Sequence, residues 1–213
     1  MSRLLFFDCD STLSAIEGID EFARLRGPTV FAEVEQMTRN AMDGGLPLEE
    51  VFARRLDLIR PREVEVAAIA QLYLDRIEAD ATDALAALRG LGWTPVIISG
   101  GLRQAILPLA ARLQIERVEA VDLFFNADGT YRSFQRDFPT ARAGGKCEVI
   151  AALKKELRPA KTVMVGDGAS DLETQPCVDL FVGFGGFVER PRVKAEAAAF
   201  ITRLNQLIPL LAD

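Results

Sequence analysis

Two aspartates one residue apart, Asp8 and Asp10, close an apolar run that begins at Leu4, and a second pair, Asp167 and Asp171, follows the apolar run Val163-Met164-Val165. Four consecutive apolar residues read as a strand buried on both faces, so the first pair lies where a strand leaves the core, at the rim where open α/β sheets bind ligands. Two negative charges this close are costly unless a cation or a shared proton compensates them, and a divalent metal is such a cation. Taken alone, Asp10-Ser11-Thr12 also fits a solvated turn that caps the next helix. The second run weighs against the turn: Gly166 and Gly168 allow tight backbone turns around Asp167, and Asp171 falls four residues on, close enough to support the same site. Hard oxygen donors in a chain without a single histidine point to Mg²⁺ rather than to zinc or copper.

Two more groups bear on the same chemistry. Ser99 and Gly100 follow the run Val96-Ile97-Ile98, where a hydroxyl and exposed backbone N–H groups form a cradle for an anion, although a Ser-Gly-Gly turn is more often just a turn. Lys146 opens an amphipathic helix marked by Val149, Ile150, Leu153 and Leu157, and a cation is disfavoured at the positive end of a helix. A bound anion relieves that conflict; an exposed loop lysine is the plainer alternative.

Composition narrows what these residues can do. The absence of histidine removes Ser-His-Asp and Cys-His nucleophilic sites and imidazole acid–base catalysis, leaving carboxylates, Lys, Arg and a metal. The 213 residues suffice for one large domain or a main domain with a modest insertion, and an apolar share of 49% with 26% charged residues is that of a globular protein. A formal charge of −6 argues against nucleic acid and against an anionic membrane as partner, since both need clustered positive charge. No secretory leader or membrane span is legible, which makes a cytoplasmic location the default. Cys9, Cys147 and Cys177 are odd in number and scattered, so they read as reduced thiols rather than a disulfide framework or a zinc site.

Rival motifs fail on their spacing. A Cys-x5-Arg phosphatase needs Arg six residues after its cysteine, where Ala15, Leu153 and Gly183 stand, and a nucleotide P-loop needs Gly where Thr140 stands. A dinucleotide-binding Gly-x-Gly-x-x-Gly beginning at Gly166 meets Asp171 instead.

The elements that must position these groups follow from the apolar pattern. Short runs at Leu4–Phe7, Val96–Ile98, Val163–Val165 and Leu180–Val182, separated by helical patterning, indicate βα units of a Rossmann-like parallel sheet, hence an α/β fold. Residues 14–78 carry helical periodicity with almost no strand signal, broken at Gly27-Pro28, Asp43-Gly44-Gly45 and Arg60-Pro61. That is too long for one crossover, so 14–78 is read as an inserted helical cap over the carboxyl ends of the strands, and 1–13 with 79–213 as the core domain. Asp128-Gly129 marks a small β-hairpin flap between Phe124 and Tyr131, and Ala197–Leu211 reads as a terminal amphipathic helix.

Taken in order, Asp8-Cys9-Asp10-Ser11-Thr12, Ser99, Lys146 and Gly166-Asp167-Gly168-Ala169-Ser170-Asp171 resemble the haloacid dehalogenase superfamily of aspartate-nucleophile phosphatases. Within it, Glu17-Gly18-Ile19-Asp20-Glu21, Met37-Thr38-Arg39, Ala41-Met42, Arg55-Leu56, Gly144-Gly145-Lys146 and Gly183-Phe184-Gly185-Gly186 resemble the phosphoserine phosphatase family over nearly the whole chain. Departures stand at Phe187, where close relatives carry Asn, and at Asp43, where a small Gly is common.

The resemblance implies a set of roles. Asp8 would be the nucleophile and Asp10 the general acid and base. Asp8, Asp167 and the backbone carbonyl of Asp10 would bind Mg²⁺, with Asp171 orienting the metal shell. Ser99, Gly100 and Lys146 would bind the phosphoryl group, and Glu17, Arg55 and Met42 the remainder of the substrate, O-phosphoserine. Arg55 also stands out on physical grounds, because Leu48, Val51, Phe52, Leu56 and Ile59 define an apolar helix face from whose middle it projects. Periodicity alone favours an arginine that snorkels or pairs with a cap carboxylate; the resemblance makes it the clamp for a substrate carboxylate, and Glu17 the partner of a substrate ammonium. Serine biosynthesis, and a monomer or homodimer acting on a small molecule, follow by implication. Two alternatives stay open at this point: hydrolysis of, or transfer from, another small phosphorylated amine or amino acid such as phosphothreonine, with homoserine as an acceptor, and a receiver-like signalling module that uses acids, a hydroxyl, a lysine and Mg²⁺ around a phosphorylated aspartate.

Overall fold

The order of strands explains how acids far apart in sequence meet. In the structure, a computed structural model, residues 2–42 and 48–212 are described, except for the side chains of Met42 and Leu48. The chain runs β1 (Arg3–Phe7), α1 (Gly18–Arg24), α2 (Pro28–Met42), α3 (Leu48–Ile59), α4 (Glu63–Asp75), α5 (Ala81–Gly90), β2 (Trp93–Leu102), α6 (Arg103–Arg112) and β3 (Arg117–Val121). It continues through β4 (Leu123–Phe125), β5 (Tyr131–Phe134), α7 (Gly145–Leu157), β6 (Lys161–Gly166), α8 (Ala169–Leu172), β7 (Leu180–Phe184), α9 (Pro191–Glu196), β8 (Ala199–Ile201) and α10 (Leu207–Leu210).

Six strands form one parallel sheet in the order β3-β2-β1-β6-β7-β8. β1 is central, with Phe7 opposite Ile97 of β2 on one side and Val165 of β6 on the other. The residues just past these three positions therefore emerge at one rim, which is where Asp8, Ser99 and Asp167 lie. The period-2 alternation of β1 divides its side chains between two faces: Leu5 and Phe7 enter one buried cluster with Trp93 and Leu109, while Leu4 and Phe6 enter another with Val149, Ile150 and Leu153 of α7.

Helices α1 to α4 lie in sequence between β1 and β2. The chain enters and leaves them through one neck, where the Ala15 N–H donates to the Arg76 carbonyl at 2.9 Å, the Glu78 N–H to that of Leu13 at 2.9 Å, and Ser14 bridges Ile77. Phe22, Phe52, Leu56, Ile69 and Tyr73 of these helices share the Leu5 and Phe7 cluster, so their apolar faces are buried against the sheet domain. The β4–β5 hairpin is present and is pinned to the same helices: Phe134 packs on Phe52 with ring centroids 5.1 Å apart, and the Gly129 carbonyl accepts from the Glu63 N–H at 2.9 Å. Asp43 lies outside the described residues; Phe187 is partly exposed and edge-on to Phe184.

Two expectations are corrected. The tail is not one amphipathic helix: Ala199–Ile201 forms β8 at the sheet edge, followed by a 3₁₀ turn and the four-residue α10. The apolar Ala-Phe-Ile segment gains more by completing the ladder beside β7 than by starting a helix that Pro209 would interrupt. Nor are all three cysteines free. Cys147, in the first turn of α7, is bonded to Cys177 beyond α8, with Cα atoms 5.8 Å apart, and only Cys9 is a buried thiol. Spacing carried no sign of this pair because the fold, not the sequence interval, brings the two segments together.

Candidate active site

Asp8 and Asp10 sit in the turn that follows β1, and both are buried. The Asp8 N–H still donates to the Val165 carbonyl at 2.9 Å, so the nucleophile candidate is held by an extension of the β1–β6 ladder rather than by a free loop. The carboxylates of Asp8, Asp167 and Asp171 present oxygens within 4.8 Å of one another. Asp167, just past β6, accepts from the Arg190 Nε at 3.1 Å and from the Thr12 hydroxyl at 3.3 Å. Asp171, fully buried at the end of the first turn of α8, accepts from the Gly168 N–H at 2.9 Å.

Lys146 enters this group from the start of α7. A Cβ at Gly145 would fall on the Pro139 carbonyl, and Gly144 has φ +71°, so the two glycines are what allow α7 to begin here. Its Nζ lies 2.6 Å from Asp171 and 3.0 Å from Asp8, with only 4% of the side chain exposed. The cation at a helix start is thus compensated by two carboxylates, and the exposed-loop alternative is excluded. Burial pulls Lys146 towards neutrality, but Asp171 and Asp8 outweigh it and hold the ammonium charged.

Burial, followed by the charge of Asp8, pushes Asp167 up to about 6 and Asp171 up to about 7. Four buried acids, counting Asp10, face two cations, Lys146 and Arg190. This excess of negative oxygen donors fits a divalent cation, whose charge would reverse those upward shifts.

Asp10 stands apart from the three-carboxylate group in its bonding. Its Oδ2 accepts from the Gly18 N–H at 2.9 Å and its Oδ1 from the Tyr73 hydroxyl at 2.5 Å. Burial first, and Asp8 second, raise Asp10 to about 7, against the pull of both hydrogen bonds. Both carboxyl oxygens of Asp10 are thus held by donors from the helical segment while the group lines the cavity beside Asp8.

Beside Asp8 the Ser99 hydroxyl accepts from the Gly101 N–H at 2.9 Å, which leaves its own hydrogen to donate. Ser99, Gly100 and Lys146 line the same cavity as Asp8, Asp10, Glu17 and Arg55. The opposite wall comes from α1 and α3. Arg55 is buried, its Nη1 donating to the Thr38 hydroxyl at 2.9 Å while Thr38 donates to Asp20 at 2.5 Å. The Arg55 Nε is buried with no hydrogen-bond partner among the described residues. Glu17, immediately before α1, accepts from the Ser11 hydroxyl at 2.7 Å, and burial together with Asp10 pushes its carboxyl up.

Of the site residues expected from the sequence, Asp8, Asp10, Glu17, Arg55, Ser99, Gly100 and Lys146 line one cavity, Asp167 and Asp171 group with Asp8 beside it, and the side chain of Met42 lies outside the described residues. Tyr73, Thr38, Asp20 and Arg190 were not anticipated. Thr38 and Asp20 do stand inside the quoted motifs, but Tyr73, 63 residues from Asp10, carries no sequence signal beyond an aromatic on an apolar helix.

Comparison with known proteins places the chain in a family. Residues 5–174 match the model of the haloacid dehalogenase-like hydrolase family. A phosphoserine phosphatase of Rattus norvegicus is 39% identical over 209 residues, covering 97% of this chain and 92% of that protein, and one of Homo sapiens is 37% identical with the same coverage. A solved phosphoserine phosphatase carrying a phospho-aspartyl intermediate analogue superposes with a TM-score of 0.85 at 26% identity, over 98% of each chain. By that match and these relatives, the chain belongs to the haloacid dehalogenase-like hydrolases, and within them to the phosphoserine phosphatase family.

Proposed function

We propose that this protein is a Mg²⁺-dependent phosphoserine phosphatase that releases serine and phosphate through an aspartyl-phosphate. The observation that carries the substrate class is the unpartnered, buried Arg55 Nε on the wall facing Asp8, Ser99 and Lys146. A buried guanidinium edge without an acceptor costs free energy, and a carboxylate satisfies it bidentately. With Glu17 on the same wall to meet an ammonium, the cavity suits a molecule with a phosphoryl group at one end and an amino-acid head at the other.

An Asp8 oxygen attacks phosphorus, the bond from phosphorus to the serine oxygen breaks, and its electron pair leaves with that oxygen, which takes a proton from Asp10. Asp10 then removes a proton from water, whose oxygen attacks phosphorus and frees the Asp8 carboxylate together with phosphate. Lys146, the Ser99 hydroxyl and the Gly100 N–H hold the phosphoryl oxygens as charge shifts among them. Asp8, Asp167 and the backbone carbonyl of Asp10 would hold Mg²⁺, with Asp171 near enough to join or orient them. When bound, the ion offsets the repulsion between the anionic nucleophile and the phosphoryl group. We read residues 14–78 as a cap that excludes water from this chemistry, supported by the neck at 13–15 and 76–78. A cytoplasmic location and a place at the last step of serine biosynthesis belong to the same reading, although a disulfide is rare in that compartment.

A panel of O-phosphoserine, phosphothreonine and phosphoethanolamine, assayed with Mg²⁺ and with chelator, tests this. Phosphoserine should be preferred, with turnover lost on chelation. Arg55→Ala should raise KM for phosphoserine by roughly 10–100-fold, the weight of a charged hydrogen bond, and leave phosphoethanolamine unchanged. Equal use of phosphoethanolamine by the unaltered protein would reject the amino-acid reading.

A further inference from the structure

Asp10 is gripped from two directions by the helical insertion, and only one grip belongs to the motif at the start of α1. The Gly18 N–H donates to Oδ2 at 2.9 Å, whereas the donor to Oδ1, at 2.5 Å, is the hydroxyl of Tyr73 on α4. Tyr73 is wholly buried and belongs to the apolar cluster shared with the sheet, so its ring is fixed by packing and not by the hydrogen bond. The approach depends on Gly18 as well: a Cβ there would fall on the Tyr73 hydroxyl. Tyr73 is further tied to the neck of the insertion, its carbonyl accepting from the Ser14 hydroxyl at 3.0 Å.

Two donors on the two different oxygens define the plane of the carboxyl group, because rotation about χ2 breaks at least one of the bonds. Each oxygen keeps a second lone pair, so the group remains able to carry a proton while so held. Misplacement of a reacting group by 1 Å costs on the order of 100-fold in rate.

We propose that Tyr73 is a positioning residue for the hydrolysis: its hydroxyl, delivered by α4, fixes the carboxyl plane of Asp10 for both proton transfers, from Asp10 to the serine oxygen and from water to Asp10. Tyr73 exchanges no proton with the substrate. The inference rests on the reading of Asp10 as general acid and base.

The test is Tyr73→Phe, which keeps the packed ring and leaves the Gly18 bond to Asp10 in place. Turnover of phosphoserine should fall roughly 10–100-fold with KM within about twofold, the size of effect a misaligned group produces. With 4-nitrophenyl phosphate, whose leaving group departs without needing a proton, the first step should be nearly untouched. Y73F should then show a burst of about one nitrophenolate per enzyme followed by slow turnover, because water activation still depends on Asp10.

Tyr131→Phe serves as control, since that buried hydroxyl on β5 has no partner and turnover should not change. Asp10→Asn, run in parallel, separates the two ideas: normal turnover in D10N would overturn the role of Asp10, and normal turnover in Y73F with a crippled D10N would overturn the role of Tyr73 alone. A Y73F loss that falls equally on the first step with the aryl phosphate would also overturn it. As an arm that leaves packing intact, 3,5-difluorotyrosine at position 73 should shift turnover of phosphoserine at least about threefold at constant KM, and no shift would count against the proposal.

Discussion

The wall of the cavity built by the sheet pairs its cations with carboxylates, whereas the wall built by helices α1 to α4 leaves an edge of its buried cation unpaired among the described residues. On the sheet side Lys146 lies within 3.0 Å of Asp8 and 2.6 Å of Asp171, and Arg190 lies 3.1 Å from Asp167. On the insertion side Arg55 donates to the Thr38 hydroxyl, and among the described residues its Nε has no acceptor. The difference matches two tasks. A phosphoryl group is the same in every phosphomonoester, so the protein can assemble its receptors in advance from its own charges. Recognition of the remainder of the molecule requires a buried group that only the right substrate satisfies, because rejection then follows from leaving that group unpaired.

The sharpest way to break this comparison is at Asp8. Asp8→Asn removes the proposed nucleophile yet keeps its shape, so turnover of phosphoserine should fall at least ~10⁴-fold, comparable to loss of other covalent catalytic groups. Stability should not fall, since one of the mutually repelling buried acids becomes neutral. Steady-state phosphate release measured beside a thermal melt checks both halves. A folded D8N that hydrolyses phosphoserine at the normal rate would sink the role given to Asp8.

The two walls also differed in how legible they were. Asp8, Asp10, Ser99, Asp167 and Asp171 follow short apolar runs that read as buried strands, and parallel pairing of β1, β2 and β6 delivers them to one rim. Arg55 was visible as a charge on an apolar helix face, but its anchor was not. Thr38 and Asp20 lie on α2 and α1, and their meeting depends on how three helices cross, which no local pattern encodes. Tyr73 was lost for the same reason. β3 escaped notice because Arg117-Val118-Glu119-Ala120-Val121 alternates as a half-covered edge strand rather than as a continuous apolar run. The Cys147–Cys177 bond was hidden by an odd cysteine count, which does not say which thiol is left over.

Thr38→Val sharpens the comparison on the insertion side with a smaller effect. The methyl for hydroxyl exchange conserves volume but leaves Asp20 without its donor and Arg55 Nη1 without its acceptor. Asp20, already raised by burial, would be pushed further up, since the Thr38 hydrogen bond is one of the two interactions that offset its desolvation. The expected outcome is a rise in KM for phosphoserine of about tenfold, equivalent to a net hydrogen bond, with kcat within a factor of about two. A loss in kcat without a change in KM would mean that Thr38 serves the sheet-side chemistry after all. Comparison with the Arg55→Ala variant adds a cycle: if Thr38 acts only through Arg55, removing both costs no more than removing Arg55.

The disulfide asks whether the sheet-side wall is held together by its ion pairs or by a covalent tie. Cys147 is adjacent to Lys146, and Cys177 lies six residues past Asp171, so the bond joins the two segments that carry that ion pair, across a separation of 30 residues. In the chain-entropy account a loop of this length contributes about 3–4 kcal/mol through the unfolded state. For a domain of this size, reduction should lower the melting temperature by roughly 10 °C. Turnover at 25 °C should change by less than about twofold, because Lys146 is already fixed by two buried carboxylates and by the packing of Val149, Ile150 and Leu153 on the sheet. A melt and a rate measured on the same sample before and after dithiothreitol, with Cys177→Ser as the permanent reduced form, give both numbers. A large fall in kcat with an unchanged melt would reverse the comparison: the sheet-side wall would then owe its geometry to the covalent bond, and its ion pairs would be a consequence of that bond rather than the cause of its order.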